Sequence, residues 1–395
     1  MVKHEFAPLT LRGKRLLPVV QGGMGVGVSA HRLAGAVAKA NAVGTISAVD
    51  LRRHHPDLMP ARDPAMPAAQ VKQQVDAANL IALDREIKAA KQTAGGQGMV
   101  AVNVMRAVSE YAAYTLQACE SGADAIAMGA GLPLDLPELA ADYPSVALIP
   151  ILSDARGIAL VVRKWEKKGR LPDAIIIEHP KYAGGHLGAT KLEDIDDPRF
   201  DFERVIPETL EFFHASGLAE KQIPLIPAGG INSHQRVREL FALGASAVQL
   251  GTAFAVSAEG DAHANFKQVL AGAEPQDVVE FMSVAGLPAR AVKTPWLEKY
   301  LRTEQKMRAA ACPRARCSLK FDCLIQCGLR DGLPRAGQFC IDTHLAAALH
   351  GDLRKGLFFR GASKLPFGSQ IRPVMDLLVY LLTGTYPAGL TPQAA

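Results

Sequence analysis

The feature that most constrains the fold is a device repeated along the chain: a short apolar run empties into glycine, and a helical pattern follows. It is plainest over residues 224–252, PLIPAGGINSHQRVRELFALGASAVQLGT, where the run 224–227 meets Gly229 and Gly230 and the run 245–250 meets Gly251 and Thr252. Six further runs, at 16–20, 43–49, 99–104, 124–128, 147–152 and 173–177, alternate with helical patterns and are set apart by Gly or Pro. Runs this short and this continuously apolar suit parallel strands buried on both faces, with helices crossing between them. Eight such units predict an α/β chain folded as a (β/α)8 TIM barrel.

The two glycine corners then fall after strands seven and eight, where barrels of this kind grip phosphate. A glycine turns its amide outward with no Cβ in the way, and free N–H groups at a helix start carry partial positive charge. Gly229, Gly230, Gly251 and Thr252 are therefore candidate phosphate ligands. Ordinary turns without a ligand are the plain alternative.

A chain of 395 residues accommodates one barrel and an appendage. The expected division is a barrel over 1–290 and a mostly helical, cysteine-rich extension over 291–395 packed on it. Hydrophobic content of 49% and charged content of 21% fit a globular protein. The net charge of +5 is mild, and no basic block or basic face interleaved with aromatics stands out, which argues against a nucleic-acid partner. No apolar run approaches the ~18 residues of a membrane span, and residues 1–14 lack the apolar core of a secretory signal, so cytoplasm is the expected location.

The first strand opens onto Gln21-Gly22-Gly23-Met24-Gly25-Val26-Gly27, a stretch that brings bare backbone close to something. A flat ring is one candidate and a tight packing turn the other. Asn103 stands among apolar neighbours on the third strand; its amide must find partners, either a ring edge or a nearby loop. The segment 50–67, rich in Pro, Arg and His, reads as a lid or as a solvated surface loop. The sixth strand ends in EHPKYAGGHLG, which carries His186 on the barrel face shared with the phosphate corners. An imidazole exchanges a proton near neutral pH, and the flanking Gly184 and Gly185 leave its approach open, so His186 is the candidate acid or base.

Three motifs in order, PVVQGGMGVGVSAHRLAGAVAKANAVGTIS, AGGHLG and IPAGGINSHQRVRELFALGASAVQLGTAF, resemble the nitronate monooxygenase family, formerly the 2-nitropropane dioxygenases. The resemblance covers roughly 18–290. It implies an FMN-binding barrel in which Gly22, Gly23 and Met24 lie along the isoalloxazine edge, Asn103 near its polar rim and Gln249 close to the ring. On the same basis Gly229, Gly230, Gly251 and Thr252 hold the phosphate, Ser153, Gly184 and Gly185 complete the cofactor contacts, and His186 is the catalytic histidine. Two departures bear on the substrate: Ser153-Asp154 stands where the family often has a basic residue or a β-branched pair, and the lead 178–182 replaces the usual Gly-x-Glu. The scaffold also resembles flavin-dependent enoyl-acyl-carrier-protein reductases.

Five of the six cysteines crowd into 312–340, spaced Cys312-x4-Cys317-x5-Cys323-x3-Cys327-x12-Cys340. Such clustering in a reducing compartment points to a metal. Four thiolates suit a [4Fe–4S] cluster or, less well without paired Cys-x2-Cys knuckles, zinc. The expected ligands are Cys317, Cys323, Cys327 and Cys340, with Cys312 in reserve; buried unligated thiols are the alternative. The leading expectation is an FMN-dependent oxidoreductase acting on a small molecule under His186, with a homodimer as an open option. Its rival is a flavin reductase of an enone, quinone or enoyl thioester, fed by NAD(P)H or by a one-electron donor through the cysteines.

Overall fold

The computed structural model describes residues 2–59, 65–314, 317 and 322–390. Eight strands, β1 (Val19–Gln21), β2 (Val43–Ser47), β3 (Met99–Met105), β4 (Ala125–Gly129), β5 (Ala147–Leu152), β6 (Ile175–Glu178), β7 (Leu225–Ala228) and β8 (Val248–Leu250), close into one barrel. Every neighbouring pair is parallel, and β8 returns to β1 with Leu250 opposite Gln21. This is the (β/α)8 architecture.

Alternation along each strand explains the continuous apolar runs. Ile175 and Ile177 of β6 face the outer layer of helices, while Ile176 faces the barrel interior. Small residues, among them Ala101, Ala125, Ala127 and Ala247, leave room there for Ile149, Ile176 and Ile226. On the outside, the helix Ala155–Glu166 buries Ile158, Val161, Val162 and Trp165, a helical stripe, and Asp154 caps its start by accepting the Gly157 N–H at 2.6 Å.

The run 16–20 is not one strand. Lys14–Leu16 pairs with Leu9–Leu11 in an antiparallel hairpin, and only Val19–Gln21 enters the barrel. Pro18, between them, has no N–H to continue a ladder. Leu9, Leu11 and Leu16 of the hairpin join the interior cluster and plug the barrel.

Beyond the barrel, Val278–Met282 and Pro288–Val292 form a hairpin that pairs with the two-residue strand Gly185–His186. The strand Pro288–Val292 runs across residue 290. Helices Pro295–Ala309, Ile341–Leu349 and Val374–Thr383 follow. The last buries Leu377, Leu378 and Leu381 in the same core as the barrel helices, and His234 Nδ1 donates to its Leu381 carbonyl at 2.9 Å. The cysteine segment docks beside the end of β3: Ser109 N donates to Cys323 O at 3.2 Å and Ile325 N to Ala107 O at 2.9 Å. Residues 315–316 and 318–321 of that segment lie outside the described residues, as do 60–64 of the expected lid. The described part of that loop is pinned, with Leu51 and Arg52 buried and His54 Nε2 2.8 Å from the Gly27 carbonyl. Among the described residues no helix is long and apolar enough to cross a membrane.

Candidate active site

A cavity of 630 Å³ opens at the C-terminal end of the strands, and every residue expected to touch a cofactor or to act as acid or base lines it. Its floor is the uppermost layer of inward side chains. Asn103 on β3 and Gln249 on β8 belong to it, and the first glycine loop lies directly on them. A Cβ on Gly23 would sit 2.2 Å from Asn103 Cβ, and one on Gly22 would sit 3.2 Å from Gln249 Cδ. Close packing therefore accounts for both glycines, and it fixes the loop over two amides. Asn103 Nδ2 donates to Ala127 O at 3.3 Å, whereas the Gln249 amide has no hydrogen-bond partner among the described residues.

The phosphate corners form one wall. Gly229 and Gly230 have φ of +104° and +75°, and Gly230 presses on the Tyr182 ring, where a Cβ would come within 2.9 Å. Among the described residues the N–H groups of Gly230 and Gly251 have no backbone acceptor. Thr252 Oγ1 accepts the Gly361 N–H at 3.0 Å, tying the second corner to a segment that brings Ser363 and Lys364 into the cavity lining. Gly184 packs on that segment too, a Cβ there falling 2.5 Å from the Arg360 carbonyl carbon.

His186 faces the cavity from the short strand Gly185–His186, opposite Ala289. Its Nε2 is 3.0 Å from Ser283 Oγ, and Phe359 meets the ring edge-on with centroids 5.8 Å apart. Burial lowers its pKa to about 4, so the imidazole is neutral at ordinary pH. Ser283 Oγ also accepts the Ala285 N–H at 3.2 Å, which holds the hydroxyl in place against the ring.

Ser153 lines the cavity beside Gly188, whose Cβ would fall 2.3 Å from Ser153 Oγ. Two lining residues, Glu178 and Lys364, and the His186 partner Ser283 were not anticipated. Glu178, last residue of β6, is raised to about 7 by burial. Its only signal in the sequence was an acid closing an all-isoleucine run. Ser283 and Lys364 had none, being more than 90 residues in sequence from the groups they accompany.

The far end of the cavity is ionic. Arg52 Nε pairs with Asp50 Oδ1 at 2.8 Å, and Arg53 bridges Asp50 and Asp342, the latter at 2.7 Å. Burial and the neighbouring Asp50 push Asp342 up to about 7.

Cys323 is the cysteine that lines the cavity. Burial first, then Cys327, Asp342, Cys340 and Cys317 nearby, push its thiol up to about 12. Cys327 Sγ accepts the Arg330 N–H at 3.4 Å and Cys340 Sγ the Thr343 hydroxyl at 3.2 Å; Cys317 is buried and Cys312 exposed. These thiols share a neighbourhood. Among the described residues, however, no group of three or more His, Cys, Asp or Glu side chains is placed to hold a metal ion. The iron–sulfur and zinc expectations gain no support from this arrangement.

A family model described as nitronate monooxygenase matches residues 12–383. A probable nitronate monooxygenase of Bacillus subtilis is 30% identical over 125 residues, 32% of this chain and 33% of that protein. A nitronate monooxygenase of Pseudomonas aeruginosa is 35% identical over 118 residues, 30% of this chain and 31% of that one. These alignments span about a third of the curated relatives' length. Among solved structures, FabK from Thermotoga maritima superposes with a TM-score of 0.61 at 23% identity, covering 92% of this chain and 91% of that one. Nitroalkane oxidase from Streptomyces ansochromogenes does so with 0.57 at 21%, covering 92% and 94%. At these identities the likeness is one of fold, a TIM barrel. The family match, which takes in all eight strands and the cavity they carry, settles membership: the chain belongs to the nitronate monooxygenase family.

Proposed function

We propose that the protein is an FMN-dependent oxidoreductase of the nitronate monooxygenase type, which oxidises a small organic substrate with His186 as its acid–base residue. One observation carries the reading: two glycine corners with unbonded amides and one neutral, enclosed imidazole meet in the same cavity. The residues present fit the cofactor. The amides of Gly230 and Gly251, with Gly229, Thr252 and Lys364 beside them, suit a phosphate. The unpartnered Gln249 amide and Asn103, under Gly22, Gly23 and Met24, suit the polar rim of a flat ring, with Ser153, Gly184 and Gly185 along the remaining wall.

Bound FMN would supply the two-electron redox chemistry of the oxidation. The chain itself contributes position and a proton carrier. His186, neutral and oriented by Ser283, accepts a proton from an acidic C–H of the substrate or donates a hydrogen bond to the anion that develops. Phe359 and the apolar lining keep water from that exchange.

Oxygen uptake with a nitronate, measured on the FMN-loaded protein, tests the reading. His186→Ala is expected to lower turnover by about 10²- to 10⁴-fold while FMN stays bound. NAD(P)H oxidation with an enone, quinone or enoyl thioester, without turnover of a nitronate, would establish the reductase alternative in its place.

A further inference from the structure

Glu178 has no part in the reading above, yet it lines the same cavity. Ala228 pairs with Glu178 on one side and with Gln249 on the other, so the three side chains rise from adjacent strands at one level of the barrel. Ile176 faces the interior, and strand alternation turns Glu178 the same way. The side chain is half-buried, and its open side is the cavity. Among the described residues it has no side-chain hydrogen bond and no ion pair. Such a group holds nothing in the fold together. A half-buried carboxyl without a partner is costly when ionised, and it becomes useful only when a ligand supplies the partner.

Most ionisable groups nearby are engaged elsewhere, and Lys364 lines the same cavity on the segment tied to Thr252. On the chain following β5, Asp154 accepts the Gly157 N–H. On the loop after β6, His179 is 3.2 Å from Asp201 and His186 is bonded to Ser283, while the Tyr182 ring lies under Gly230. Arg199 pairs with Asp194 and Asp197. β7 contributes Ala228 and β8 contributes Gln249, neither of which carries charge.

We propose that Glu178 is a neutral carboxylic acid that donates a hydrogen bond to an oxygen or nitrogen acceptor of the flavin in this cavity, so that flavin affinity falls as the acid ionises. The proposal rests on the FMN reading. Burial alone raises Glu178 to about 7 and lowers His186 to about 4, which adds a neutral acid and a neutral base to the floor amides across a usable pH range. Ionised, Glu178 would lose its only proton and set a negative charge against the same acceptor.

FMN titrations of wild type, Glu178→Gln and Glu178→Leu at about pH 6 and about pH 8.5 test this. If the neutral acid alone binds, linkage weakens wild-type affinity by about 30-fold over that range. Glu178→Gln keeps an N–H donor and cannot ionise, so its affinity should stay near the low-pH wild-type value; Glu178→Leu should bind weakly at both. Asp342 and the FMN phosphate also titrate near this range, but both are unchanged in Glu178→Gln, so the wild-type-to-variant ratio isolates Glu178. A ratio that does not move with pH overturns the proposal and leaves the cofactor reading intact. No FMN binding by any form at either pH overturns both. Infrared spectra of wild type supply a second reading independent of the variants' folding: a carboxylic-acid band should titrate near neutrality and shift when FMN is added. A band that FMN leaves unmoved contradicts the proposal.

Discussion

Burial displaces His186 and Glu178 in opposite senses, and each displacement has a sign in stability. Unfolded, the imidazole titrates near ~6.5 and the carboxyl near ~4.3. His186, lowered to about 4, therefore supports the fold fully above the unfolded value and loses that support as pH falls toward the folded one. Glu178, raised to about 7, is harmless below its unfolded value and destabilises increasingly as pH rises to the folded one, by a limit of about 4 kcal/mol. Glu178→Gln should accordingly be more stable than wild type by up to ~4 kcal/mol near pH 8, with the gap closing near pH 4, in urea titrations of the apoprotein. Equal stabilities at both pH values would contradict the burial argument. Ser283→Ala removes the hydroxyl that orients His186; kcat should fall about 10-fold with FMN affinity unchanged. His186 was legible because a histidine flanked by glycines follows the sixth apolar run. Ser283 was not, because nothing local announces a partner 97 residues away.

At the scale of elements, the hairpin Val278–Met282/Pro288–Val292 matters for what it holds. Its Arg290, buried, donates through Nη1 to the carbonyls of Pro180 at 3.0 Å and Ala183 at 2.5 Å, and pairs with Glu280. One guanidinium thus clamps the loop that presents His186. Lysine keeps the charge but cannot serve both carbonyls and the carboxylate from a fixed fork. Arg290→Lys is predicted to lower kcat by about 10-fold or more and stability by about 1–3 kcal/mol, read by turnover and by urea midpoint, with FMN still bound. The apolar run at 278–284 suits a strand, but nothing in it marks the pairing of its hairpin with Gly185–His186, since antiparallel partners so distant leave no periodic trace.

At the scale of the whole molecule, strands buried on both faces forced long apolar runs, and those runs made the barrel readable before any contact was known. The plug was hidden for the converse reason. Leu9–Leu11 and Lys14–Leu16 are three-residue strands, too short to show a period, and their leucines pack against side chains contributed by most of the barrel. Leu11→Ala should cost about 2–5 kcal/mol of stability and leave FMN affinity unaltered, because the plug lies below the floor that carries Asn103 and Gln249. The floor itself explains why the candidate site was partly visible in sequence: glycines show where backbone approaches closely, whereas a lone Glu178 among isoleucines looks like a strand end. The central claim is that the glycine corners and the amide floor hold a flavin beneath His186. Equilibrium dialysis of the purified chain against FMN, followed in the visible spectrum, tests it most directly. Retention of about one FMN per chain, with flavin bands that remain with the protein, is the predicted result; a chain that stays colourless and takes up no added FMN would contradict it.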